Sequence, residues 1–230
     1  VTGGTTPAAL AADWLTSLLD QNAFSAVSSP LGAQLEDVAV RWLLDLFELP
    51  EHWGGVLTSG ATMANFVGLA CGSGWWGQEH GVDVDERGLA GLPAVPVFST
   101  PYLHASARKA LGMVGLGRES PTIVAADELE RELVALDGAP AIVIANAGDV
   151  NTGDFDPIAR MADLADKHRA WLHVDGAFGL FARLTPEAGE LAEGVERADS
   201  VIADGHKWLN VPYDCGFAFV RDGELLKEPF

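Results

Sequence analysis

Apolar residues recur at three- and four-residue steps in two early stretches of the chain. The first, residues 8–19, opens after Thr6-Pro7 and dies at Gln21-Asn22, which predicts an amphipathic helix with proline in its first turn. The second starts at Gln34, repeats through Leu35, Val38, Trp42, Leu46 and Phe47, and stops at Pro50. A short segment, Val56-Leu57-Thr58-Ser59-Gly60, then leads into a helix over 61–71 that the glycine-rich run 72–77 closes. Residues 72–91 read as the most loop-like part, with Trp75-Trp76 as an alternative packing element.

Beyond that point the period changes. Short, nearly continuous apolar runs at 94–98, 141–145, 171–174, 200–203 and 215–220 read as strands. Helical patterns at 104–113, 127–136 and 157–168 alternate with them, Asp127 and Glu130 forming a capping-box-like start and Pro157 opening a first turn. Apolar strands separated by amphipathic helices predict an α/β fold with a largely parallel sheet buried on both faces. No internal repeat or composition break divides the chain, so it reads as a helical N-terminal segment, 1–50, followed by one large domain, 51–230.

Charge and cysteine content narrow the classes. The 33 acidic residues against 14 basic ones leave a net charge of −19, a field that repels nucleic acid and anionic lipid. No apolar run reaches membrane-spanning length, and Val1-Thr2-Gly3-Gly4 has the features of neither a secretory signal nor a transit peptide. Cys71 and Cys215 stand in unrelated contexts, which argues against a disulfide framework or a thiolate metal site and for a cytoplasmic setting.

Candidate chemistry begins with lysine. Lys109, Lys167 and Lys227 lie in polar or charged surroundings and read as solvated. Lys207 follows an apolar strand in Asp204-Gly205-His206-Lys207-Trp208-Leu209, among neighbours expected to crowd its ammonium. A neutral amine attacks carbonyl groups, so such crowding suits carbonyl chemistry; a snorkelling lysine is the plain alternative. Asp175 ends the strand Trp171-Leu172-His173-Val174 and precedes Gly176-Ala177-Phe178-Gly179, whose small residues let a flat group approach the backbone. That is where open α/β sheets bind ligands, although an aspartate there on its own reads first as a helix cap or turn acid. Thr58-Ser59-Gly60-Ala61-Thr62 opens a helix whose free N–H groups suit a phosphate, or else a simple cap. His104 suits ring stacking or a helix start.

Taken together, Thr58-Ser59-Gly60-Ala61-Thr62-Met63-Ala64-Asn65, His104, His173-Val174-Asp175-Gly176-Ala177-Phe178-Gly179 and Asp204-Gly205-His206-Lys207-Trp208-Leu209 resemble the group II pyridoxal-5′-phosphate-dependent amino-acid decarboxylases. The resemblance runs over nearly the whole chain. It implies the large domain of the aspartate-aminotransferase-like fold type I, with a seven-stranded, mostly parallel sheet. It implies a cofactor, pyridoxal 5′-phosphate, joined to Lys207 as a Schiff base, with Asp175 on the pyridine nitrogen, His104 on one ring face and Ala177 on the other. Ser59, Gly60, Ala61, Thr62 and His206 match positions near the phosphate, and Asn151 and Thr152 match a loop that approaches the cofactor. The implied reaction converts an L-amino acid to its amine and CO₂ in a homodimer whose active site lies at the subunit interface.

Two departures stand out. Ala61 and Met63 replace a glycine and an acidic residue, and Asp149 replaces a threonine, which predicts weaker phosphate binding through like-charge repulsion. The resemblance also places a tyrosine-bearing loop and a small C-terminal domain beyond Phe230, and an arm before Val1. Two rival readings are another pyridoxal activity on this fold, an aminotransferase or carbon–carbon lyase, and a catalytically inactive homologue or fragment.

Overall fold

The computed structural model describes residues 3–23 and 25–227; Val1 and Thr2 of the opening segment lie outside them. Helices α1 (Pro7–Leu19) and α2 (Pro30–Leu46) precede strand β1 (Gly54–Thr58) and the long helix α3 (Ala61–Glu79). Next come α4 (Val84–Arg87), β2 (Val97–Ser99), α5 (Ala105–Met113), β3 (Pro121–Ile123), α6 (Leu129–Ala135) and β4 (Ala141–Asn146). Helix α7 (Ile158–His168), β5 (Ala170–Asp175), β6 (Ser200–Asp204), the single turn α8 (Gly205–Trp208) and β7 (Gly216–Val220) complete the order.

The strands form one seven-stranded sheet in the order β1-β7-β6-β5-β4-β2-β3. Only β7 runs against its neighbours, so the carboxyl ends of β1, β2, β4, β5 and β6 lie along one edge. The mostly parallel seven-stranded architecture expected from the sequence is thus borne out. Register aligns Asn146 with Asp175 on β4 and β5, and pairs Gly216 with both Asp204 and Thr58. The ends of β5 and β6 that carry candidate chemistry are therefore neighbours, and that of β1 lies one strand further on, across β7.

Side-chain alternation divides the strands between two layers. Val143, Ala145, Leu172, Val174, Val201 and Phe219 face α2, α6 and α7 in the larger core. Ile142, Ile144 and Trp171 face the other way, against Leu69 of α3 and Leu111 of α5. Burying each of the valine, leucine, isoleucine and phenylalanine side chains among these stabilises the fold by roughly 1.5–3 kcal/mol.

Several expectations need correction. Helix α3 does not stop before Gly72 but continues to Glu79, because its glycines are sites of close packing. A Cβ on Gly72 would lie 3.1 Å from the Trp171 ring, and one on Gly77 would lie 2.5 Å from the Val82 carbonyl oxygen. Trp76 is buried, so the tryptophan pair belongs to a helix. Helix α2 begins at Pro30 rather than Gln34 and buries Val40, Leu43 and Leu44, whereas Leu35, Trp42 and Leu46 of the expected stripe are exposed. The Asp127–Glu130 capping box does not form; Glu128 is the cap residue and makes no side-chain cap bond. Strand β3 was not visible in the hydrophobic pattern.

Candidate active site

His104, Asn146, Gly148, Asp149, Asp175, Ala177, Phe178 and Lys207 border one small cleft at the carboxyl ends of β4, β5 and β6. A roomier groove along β1, between Val56 and Leu226, is lined by no ionisable side chain. The ionisable groups converge on the smaller space.

Lys207 stands on α8, the single turn that β6 delivers to this edge. Its Nζ lies 2.7 Å from Asp204 Oδ2 and 4.1 Å above the Phe178 ring. Its side chain is 13% exposed, so it is neither solvated nor snorkelling. The expected crowding comes from Asp204 and Phe178, whereas Trp208 points outward and is exposed. Asp204 was not singled out in the sequence. Its 2% exposure and its direct pairing with the lysine make it part of the site.

Asp175 is held from behind. Oδ2 accepts from Asn65 Nδ2 at 3.0 Å, and Oδ1 accepts from the Ala177 N–H at 3.2 Å. Next to it in the sheet, His173 is fully buried, and burial holds its imidazole down at about 4, with the Asp175 charge opposing that shift. His104 takes the helix-start position expected of it. It caps α5, its Nδ1 accepting the Ser106 N–H at 3.2 Å, and it borders the cleft.

The phosphate-type element lies beside Lys207's own turn. Helix α3 starts after Gly60, whose φ of +141° favours glycine, and no side chain caps its first amides. A Cβ on Gly60 would lie 3.5 Å from His206 Cε1 and 3.9 Å from Asp204 Oδ1. His206 is buried, its Nδ1 placed 2.9 Å from the Cys215 carbonyl oxygen. Ser59 is exposed, while Ala61 and Thr62 are half-buried on the first turn. Cys215 is no nucleophile: burial above all, then Asp204 and Asp214, pushes its thiol up to about 11.

Asn151 and Thr152 are not brought to the cleft. Both are exposed, and their amides donate to Asp149 Oδ1 at 2.9 and 3.0 Å. Those bonds hold the Asp149 carboxyl below the usual range, so this departure is a charged loop clasp at the cleft's rim.

The pyridoxal-dependent decarboxylase conserved domain matches residues 2–230. The chain belongs to that family. Among family members, L-2,4-diaminobutyrate decarboxylase of Rhizobium meliloti is 32% identical, over 93% of this chain and 43% of that protein. Bovine acidic amino acid decarboxylase GADL1 is 29% identical over 95% of this chain and 43% of its own length. The glutamate decarboxylase domain of a Vibrio parahaemolyticus protein superposes with a TM-score of 0.90 at 28% identity, over 99% of this chain and 52% of that one. The chain thus spans about half the length of the relatives it matches.

As a decarboxylase-family domain, it offers residues that fit a pyridoxal group on three counts. Asn146 Oδ1 and Asp204 Oδ1 are buried beside the cleft with no hydrogen-bond partner among the described residues. The first turn of α3 presents uncapped amides next to His206. A carboxylate at the end of β5 and a lysine on the turn that follows the adjacent β6 border the same small space.

Proposed function

We propose that this chain is the cofactor-binding part of a pyridoxal-5′-phosphate-dependent amino-acid decarboxylase. Carrying the reading most is the convergence of Lys207, Asp175, His104 and Ala177 on one cleft. Lys207 would hold the cofactor's carbonyl carbon, Asp175 its ring nitrogen, and His104 and Ala177 its two faces. The amides after Gly60, with Ser59, Ala61, Thr62 and His206, would hold the phosphate, and Asn151 and Thr152 would lie in a loop that approaches the cofactor. When bound, the cofactor supplies an electron sink for the bond broken at the substrate's α-carbon.

The remaining work belongs to the protein's own side chains. An amine that attacks a carbonyl must first lose a proton, and Asp204, 2.7 Å from Nζ, is the nearest group to take it up. Buried, hydrogen-bonded Asp175 supplies a fixed negative charge at the inner end of the cleft. His104 has its Nδ1 committed to Ser106, which leaves Nε2–H as the donor available to a ligand.

A homodimer is supported by the N-terminal helices. Helix α1 buries none of its residues, and Trp14, Leu15, Leu18, Leu35 and Trp42 are exposed together with it. An apolar surface of that kind marks an interface, and a second copy is the occupant we assign. A cytoplasmic location is supported by two cysteines that form no disulfide with each other. No described helix is long and apolar enough to cross a membrane.

The test is a spectral titration with pyridoxal phosphate followed by a screen of amino acids for CO₂ release. Wild type should develop an absorbance above that of the free cofactor and release CO₂ from one substrate class. Cofactor attachment without any CO₂ release, with the amino group transferred to the cofactor instead, would favour an aminotransferase.

A further inference from the structure

Behind Asp175 lies a buried hydrogen-bonded seam between α3 and the sheet. Asn65, Gly68 and Gly72 occupy one face of α3 at helical spacing. Asp175, His173 and Trp171 occupy one face of β5 at strand spacing. They meet rung by rung. Asn65 bonds both Asp175 and His173, while Cβ atoms on Gly68 and Gly72 would lie 2.7 Å from His173 and 3.1 Å from Trp171.

The direction of every bond in the seam follows from its two ends. At one end the Ser106 N–H donates to His104 Nδ1, so that nitrogen is an acceptor and the Ser106 hydroxyl donates to it at 2.7 Å. The Ser106 oxygen must then accept from Asn65 Nδ2, at 3.2 Å. At the other end Trp171 Nε1 has only a proton to give, and it gives it to Ser200 Oγ at 3.0 Å. The Ser200 hydroxyl has two acceptors in reach, the Gly68 carbonyl oxygen at 3.5 Å and His173 Nδ1 at 2.7 Å, and the shorter contact takes its proton. His173 Nε2 then carries the hydrogen and donates to Asn65 Oδ1 at 2.7 Å. Both ends demand the same orientation of the Asn65 amide, with its second hydrogen on Asp175 Oδ2. Turning that amide over would set two oxygens 3.0 Å apart.

We propose that Asn65 is the positioning residue for Asp175. Its amide fixes the carboxylate's rotation and hydrogen bonding from behind, and through Ser106 it ties that orientation to His104. The proposal rests on the reading of Asp175 as the partner of a pyridine nitrogen. Asn65 itself does not border the cleft, so it acts through Asp175.

Two measurements test it in the full chain. The first needs no cofactor: nitrogen-15 NMR of the histidines should find His173 neutral and protonated on Nε2. Protonation on Nδ1 would reverse the seam and overturn the proposal. The second compares binding of pyridoxal phosphate with that of its analogue carrying carbon in place of the ring nitrogen, both followed by attachment to Lys207. Asn65→Leu should weaken pyridoxal phosphate roughly tenfold, as expected for losing a hydrogen bond to a charged group, and the analogue less than about twofold. Equal losses, or none, would mean that Asn65 only fills space. If wild type attaches neither compound to Lys207, the cofactor reading itself falls, and the proposal with it.

Discussion

Helices α1 and α3 make opposite uses of their residues. Helix α1 carries Trp14, Leu15, Leu18 and Leu19, yet buries none of its residues. Helix α3 buries ten of its residues, and those include Asn65, Ser73 and three glycines. Apolar content alone therefore does not say which helix is inside. What decides is whether the chain itself supplies a matching surface: β5 offers α3 a row of large polar and aromatic side chains that only small residues and one amide can meet. Nothing described in the chain covers the apolar residues of α1.

Packing of α3 on the sheet is most sensitive at Gly68. Its substitution Gly68→Val puts side-chain atoms where His173 and Ser200 already lie, and should cost about 3 kcal/mol, read as a fall in the denaturation midpoint. A neutral outcome would mean that α3 can move off the sheet, and the seam would lose its claim to rigidity.

A second effect of intermediate size is the pH dependence of that seam. Because burial lowers the His173 pKa from 6.5 to about 4, the unfolded chain takes up the proton first. The stability it contributes is complete above about 6.5 and is lost as pH falls toward about 4. Melting curves across that window should show the decline, and His173→Gln should flatten it.

For α1, Leu15→Ser with Leu18→Ser should change folding stability by less than about 0.5 kcal/mol per site while weakening self-association at least tenfold in sedimentation. A cost to folding as large as that of Gly68→Val would show that α1 packs on its own chain. The smallest effect is expected at the rim. Asp149→Asn keeps an oxygen for the loop amides and removes the charge, so pyridoxal phosphate should bind about two- to threefold tighter.

The sequence made some of this legible and hid the rest for physical reasons. Asp175 and Lys207 stood out because each follows an apolar strand, and parallel pairing brings such strand ends together. Asn65 gave no comparable signal, since its partners Ser106, His173 and Asp175 lie 41, 108 and 110 positions away. The pattern that would have found it is the small-residue spacing Asn65-Gly68-Gly72 set against Trp171-His173-Asp175. Read as punctuation, glycines 72 to 77 instead ended α3 too early. Asp204 went unnoticed as the mere start of a lysine motif, although its pairing with Lys207 needs only one helical turn. The three-residue strand β3 opens on a proline and leaves Ile123 exposed, so it shows neither alternation nor a continuous apolar run.

Lys207 as the attachment point of a pyridoxal cofactor whose ring nitrogen faces Asp175 is the proposal on which every assigned role depends. Borohydride reduction of the cofactor-treated protein, followed by peptide mass spectrometry, tests it most directly. The expected result is a phosphopyridoxyl mass on the peptide containing Lys207, absent in Lys207→Ala and reduced in Asp175→Ala. Label spread over Lys109, Lys167 and Lys227 with Lys207 unmodified would contradict it.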